Sequence, residues 1–235
     1  MTTFNDLCLI VKDIIQNENQ MVTEEKSDKE ILAYVNKRMI SDLFPILVNI
    51  CTNEGNKVSE YIKLRNKENE LVSSMAKKEM MYLSGLDFCC KTSIHIMSSF
   101  NSGTNLIADS DIDFGLLVLN LTDKKCATIG KILEEKGYKF AKVFNPDNPK
   151  NTYTSYEKIV DGIEIEVKIR DHDFSQVMLM LHNYLDNTLT EHQRTMITYG
   201  KYLFKTHEKR LYNLFKKLIY EYAFNYIEGG HLMAV

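Results

Sequence analysis

The sequence predicts an α+β fold, and three observations carry that expectation. Apolar residues recur at helical spacing through the first ninety residues. Alternating, β-branched segments separated by turn signals take over between residues 91 and 172. Helical spacing returns from residue 173 onward. Strands grouped between runs of helices favour a sheet with segregated helices over a regular βαβ array. The expected organisation is a helical segment over 1–90, a mixed sheet crossed by one helix over 91–172, and a second helical segment over 173–235.

Each element has a local reason. "FNDLCLIVKDIIQN" sets Phe4, Leu7, Ile10, Val11 and Ile14 on one helix face. "SDKEILAYVNKRMISDLFPILVNI" opens with Ser27 and, three residues on, Glu30, the pattern of a capping box. Pro45 has no backbone N–H to donate and should kink or split that helix. "KVSEYIKLRNKENELVSSMAKKEMMYLSGL" continues in helical style to Gly85, its charges forming a solvated face. "TSIHIMSS" alternates as a strand, and "DIDFGLLVLN" follows as another beyond a polar loop. "DKKCATIGKILEEKG" reads as a helix over 123–137 stopped by Gly137. "YKFAKVFN", "TYTSYEKIV" and "GIEIEVKIR" are three more strands, the last two joined by Asp161-Gly162, a tight-hairpin dipeptide. Helices are expected over 173–186, 190–206 and 208–227.

Composition narrows the function classes. At 44% hydrophobic and 26% charged, 235 residues suffice to bury a real core. A net charge of −3 argues against a global basic field, so a nucleic-acid partner would need a local patch. The five cysteines lack C-x-x-C spacing and the six histidines lack paired metal spacing, which argues against zinc and against a disulfide framework. No apolar run approaches the ~18 residues of a membrane span. The first residues read as an amphipathic helix and not as a signal peptide. These features lead us to expect a cytoplasmic, reducing compartment and no membrane partner.

The chemistry concentrates in "SSFNSGTNLIADSDIDFGLLV", residues 98–118. On a strand, Asp111 and Asp113 share one face while Ile112 and Phe114 take the other. Two like charges so placed repel unless a cation sits between them or the face is wet. Paired carboxylates suit Mg²⁺, which completes its shell with water and phosphate oxygens. The strand "GIEIEVKIR" can add a third acid: Ile163, Ile165, Val167 and Ile169 form one face, and Glu164, Glu166, Lys168 and Arg170 the other. Of the two glutamates, Glu166 is favoured, because Glu164 lies nearer the Asp161-Gly162 turn. A calcium loop is excluded. Counted from Asp109, Phe114 stands where that loop needs glycine, and Asn120 where it needs glutamate. Ahead of the aspartates, Ser98, Ser99, Gly103 and Ser110 are small or hydroxylated, which lets N–H and O–H donors approach a phosphate.

This stretch resembles the signature of the DNA polymerase β-like nucleotidyltransferase superfamily, in which a strand ends in Gly-Ser and Asp-hydrophobic-Asp opens the next strand. The spelling G-T-x-L at 103–106 and S-D-I-D at 110–113 is similar to noncanonical poly(A) polymerases, terminal uridylyltransferases and cyclic-oligonucleotide synthases. "ITYGKYLFK" resembles the helix whose two lysines hold the triphosphate, here Lys201 and Lys205. The resemblance spans 92–206. It implies a nucleotidyltransferase palm in which Asp111, Asp113 and Glu166 are catalytic and hold Mg²⁺ or Mn²⁺ in a two-metal mechanism. It further implies a nucleoside triphosphate bound by Ser98, Ser99, Gly103, Thr104, Ser110, Lys201 and Lys205, with an RNA 3′ end as acceptor. The chain departs from the pattern at Ser98, where the family has glycine, and at Glu166, where aspartate is commoner. It also lacks the tryptophan usual between the two lysines.

The segment 201–217 carries Lys201, Lys205, Lys209, Arg210, Lys216 and Lys217 against Glu208 alone, a local concentration that can steer an anionic substrate. Tyr199 or Tyr202 can stack a base, although core packing is the reading favoured for both. Two rival functions stay open. One keeps the chemistry and changes the acceptor to a nucleotide, a small molecule or a protein hydroxyl. The other is a catalytically degenerate member acting as a binding or scaffold subunit.

Overall fold

The computed structural model describes residues 3–97, 103–106, 111–145 and 152–228. They fall into two compact units. One comprises the chain up to Leu64 and from Asn187 onward, and the other is Arg65–Asp186.

The first unit is helical. It contains α1 (Phe4–Thr23), α2 (Asp28–Arg38), α3 (Phe44–Asn53), the start of α4 (Gly55–Ser84), α7 (Glu191–His207) and α8 (Lys209–Glu228). The capping box at Ser27 is present: its hydroxyl accepts from the Glu30 N–H, and the Glu30 carboxylate accepts from the Ser27 N–H. Thr3 with Asp6, and Thr190 with Gln193, build two more. The long helix expected around Pro45 is divided into α2 and α3. A π-helical turn over Met39–Leu43 leads into α3, whose first turn holds the proline. The wider turn absorbs the hydrogen bond that proline cannot make. The apolar stripes are buried, with Leu7, Val11 and Ile14 on α1, Val35 on α2, Leu47 on α3, Phe204 on α7 and Phe215 and Leu218 on α8.

The second unit holds the sheet. Its strands are β1 (Thr92–Met97), β2 (Ile112–Val118), β3 (Lys139–Phe144), β4 (Tyr153–Val160) and β5 (Ile163–Asp171), in the order β1-β2-β5-β4-β3. The β2–β5 pair is parallel and the other three pairs are antiparallel. The fold class is therefore α+β with a mixed sheet. Asp161 and Gly162 both take positive φ, 50° and 82°, as a two-residue hairpin between Val160 and Ile163 demands. One face of the sheet is the core: Ile112, Phe114, Leu116 and Val118 meet Ile165, Val167 and Ile169. That face is covered by Ile129 and Leu133 of α5 (Asp123–Glu135) and also by Met75, Ala76 and Leu83 of α4. A second helix thus joins the single crossing helix expected from sequence, because α4 carries an apolar stripe in its later turns. α6 (His172–Thr188) follows β5 directly. The opposite face of the sheet carries the acids.

Candidate metal centre

Strand register gathers the acids. Asp113 on β2 lies directly opposite Glu166 on β5, so their side chains leave the sheet on the same face. Asp111, just ahead of β2, contributes a third carboxylate, and the ligand oxygens of Asp111, Asp113 and Glu166 all lie within 4.8 Å of one another. Asp111 is exposed, whereas Asp113 and Glu166 are 7% and 5% exposed. Glu164 is exposed and pairs with Ile159 across β4. Gly115 makes room for the arrangement. A Cβ there would fall 2.1 Å from the Met97 sulfur, and Met97 is the β1 residue opposite Asp113.

Lys168 stands in the middle of this charge. Its Nζ lies 2.8 Å from Asp113 Oδ1 and 3.1 Å from Glu166 Oε2, with Lys142 Nζ 3.8 Å from Glu166 Oε1. The Tyr153 ring lies 5.5 Å from the Lys168 ammonium and 4.4 Å from the Arg170 guanidinium. Burial pushes the Asp113 carboxyl up to about 6; Lys168 opposes that rise, while Asp111 and Glu166 add to it. Burial also works against the Glu166 carboxylate, but the charge and hydrogen bond of Lys168 outweigh it and hold the group below its ordinary range. Burial opposes the Lys168 charge too, and Asp113 with Glu166 overcomes it, so the lysine stays protonated more firmly than usual. Glu166 Oε1 is buried and has no hydrogen-bond partner, an oxygen placed to accept a further ligand.

Hard divalent cations take carboxylate oxygens, and this donor set contains nothing softer. The triad can therefore hold a metal ion. No protein-family model and no curated protein matches this chain. The site's reading rests on its own residues.

The other residues marked by sequence divide into groups. Ser98, Ser99 and Ser110 lie outside the described residues. Gly103 and Thr104 belong to a short loop held by α4. Arg65 Nε donates to the Asn105 carbonyl at 2.9 Å, while its terminal nitrogen reaches the Gly103 carbonyl and, at 2.7 Å, Asn105 Oδ1. Asn69 and Asn105 exchange amide hydrogen bonds. Arg65, Thr104 and Asn105 are all buried. Lys201 and Lys205 lie one turn apart on α7, in the helical unit. Lys201 is 3% exposed, and Lys205 sits 5.1 Å from the Tyr212 ring. Tyr199 is buried and donates to Glu54 at 2.7 Å, and Tyr202 stacks on Tyr61, so both pack within that unit.

Sequence reading missed Lys168 as a member of the site, although its period-two relation to Glu166 was visible. It also missed Arg65 and Asn69. Their spacing of four residues puts them on one helix face, but nothing local announces the loop forty residues away that they hold.

Proposed function

We propose that this protein is a metal-dependent nucleotidyltransferase that adds ribonucleotides from a nucleoside triphosphate to an RNA 3′ end. The observation that carries the reading is the carboxylate triad on adjacent parallel strands, with Asp113 opposite Glu166 and an unsatisfied buried oxygen among them. The nucleotide and RNA assignments draw on the G-T-x-L and S-D-I-D spelling around 103–113.

Asp111, Asp113 and Glu166 would hold Mg²⁺ or Mn²⁺. A divalent ion held there would supply Lewis-acid stabilisation to an in-line displacement in which the RNA 3′ oxygen bonds the α-phosphorus as the bond to the leaving pyrophosphate breaks. The chain's own contribution is preorganisation. Strand pairing holds Asp113 and Glu166 in register, Lys168 orients both carboxylates, and Arg65 with Asn69 fixes the loop that would face the phosphates.

The test is to incubate the full chain with each labelled nucleoside triphosphate, Mg²⁺ or Mn²⁺ and a short RNA, and to resolve products by length. A ladder on the RNA supports the proposal. A new small species formed without RNA moves the acceptor to a second nucleotide. The absence of any metal-dependent product overturns the enzymatic reading.

A further inference from the structure

We propose that Lys168 is the resident cation of the Asp113–Glu166 half of the carboxylate group, so that the protein takes one divalent ion, between Asp111 and Asp113, instead of two. The inference rests on reading the triad as a metal centre.

The Lys168 ammonium already makes the contacts that a second ion would need. It touches one oxygen of Asp113 and one of Glu166, at 2.8 and 3.1 Å. A Mg²⁺ ion shared by the same two side chains would sit about 2.1 Å from their oxygens. The two positions overlap, and two cations so close would repel with little water between them. The lysine also has little freedom to leave. It projects from β5 inside the sheet, where it pairs with Gly115 of β2 and Ser155 of β4, and its side chain is 16% exposed. Tyr153 flanks it, and Lys142 near Glu166 and Arg170 on the same strand face make the neighbouring positions positive.

Charge points the same way. Lys168, with Lys142 beside Glu166 and Arg170 on the same strand face, already answers much of the charge of the three carboxylates. A second divalent ion would leave the nucleotide-free site positive at its most buried end. Asp111, by contrast, is exposed, so the open side of the group is the side where an ion can exchange with water.

Counting ions tests this without reference to activity. Mn²⁺ is titrated into the full chain without nucleotide near pH 7.5, with free ion read by electron paramagnetic resonance and heats by calorimetry. One Mn²⁺ per chain is expected for the wild type and for Lys168→Arg, which keeps the charge. Two are expected for Lys168→Met, and strongly weakened binding for Asp111→Asn in either background. A wild type that binds two ions leaves the metal reading standing and overturns the role of Lys168. So does a folded Lys168→Met protein that still binds one. Should Lys168→Met fail to fold, the counts for wild type and Lys168→Arg decide. No binding in any variant overturns the metal reading and this inference together.

Discussion

In the helical unit, Lys217 Nζ reaches Glu18 of α1 and, at 3.3 Å, Glu221 one turn along α8; in the sheet unit, Lys168 Nζ reaches Asp113 and Glu166. Each cluster sets one ammonium between two buried or half-buried acids. Each leaves carboxylate oxygens without a hydrogen bond, Glu18 Oε2 and Glu221 Oε2 in the first and Glu166 Oε1 in the second. They differ in how many acids gather and in how their charge is met. Around Lys217 the surplus is one negative charge, and burial, followed by the charge of Glu18, pushes the Glu221 carboxyl up to about 7, so a proton meets it. Around Lys168 an exposed third acid, Asp111, joins the group, Lys142 Nζ lies 3.8 Å from Glu166, and Asp113 and Glu166 are mounted on paired strands at fixed register. Among the described residues this is the one group that gathers three candidate ligands. Two acids share one lysine in the first cluster; in the second a third, solvent-facing acid completes a donor set that could hold a metal ion.

The largest effect that would sharpen this contrast lies in the acids of the sheet. Asp113→Asn should lower metal-dependent nucleotidyl transfer by more than about 100-fold, and Glu166→Gln, which loses the partner that holds Lys168 against Asp113, by about 10- to 100-fold. Glu164→Gln should cost less than about tenfold. If the Glu164 change is the more damaging in the incorporation assay, the register argument for Glu166 collapses.

A second, smaller effect separates the clusters by cation. Saturating Mn²⁺ should raise the melting temperature at pH 7.5, by an amount equivalent to about 2.7 kcal/mol at one hundred times the dissociation constant. The rise should fade as pH drops through about 6, where Asp113 takes up a proton and ceases to be a ligand. Glu221→Gln should leave this Mn²⁺ response unchanged, and an altered response would break the distinction between the clusters.

The third effect is on stability alone. The Glu221 carboxyl is raised in the folded state, from an ordinary 4.5 to about 7. The stability it contributes is therefore present below pH 4.5 and is lost as pH rises through 7. Glu221→Gln should stabilise the protein at pH 8 by on the order of 1–3 kcal/mol in urea unfolding, with the gain gone by pH 4.5. Asp113 follows the same sign over a lower window, from 3.8 to about 6. Metal-free Asp113→Asn should thus melt no lower than wild type at pH 8. A clear loss there would mark Asp113 as a structural residue.

The elements were largely legible because their causes are local. Ser27 with Glu30, Asp161 with Gly162 and the two-residue period of "IEIEV" act within a few positions, and the start of α2 and the limits of β4 and β5 follow them to within a residue or two, whereas α1 runs six residues past the stripe read for it, to Thr23. The π turn before Pro45 was not legible, since sequence says only that a hydrogen bond is lost and not how the backbone absorbs the loss. The later turns of α4 carry a stripe that any packed helix can show. That they cover the sheet depended on Ile112, Phe114 and Val167 lying together as a surface to receive Met75, Ala76 and Leu83.

By itself the sequence determined that Asp111 and Asp113 face one way and that Glu166 and Lys168 face one way, because alternation along a strand is a property of the backbone. It could not determine that β5 pairs in parallel beside β2, a choice among strand orders that burial of two apolar faces against α4 and α5 decides. Only that pairing brings Asp113 opposite Glu166, and with it Lys168 between them. The acids are a matter of sequence. Their gathering into one group around Lys168 is a matter of tertiary structure.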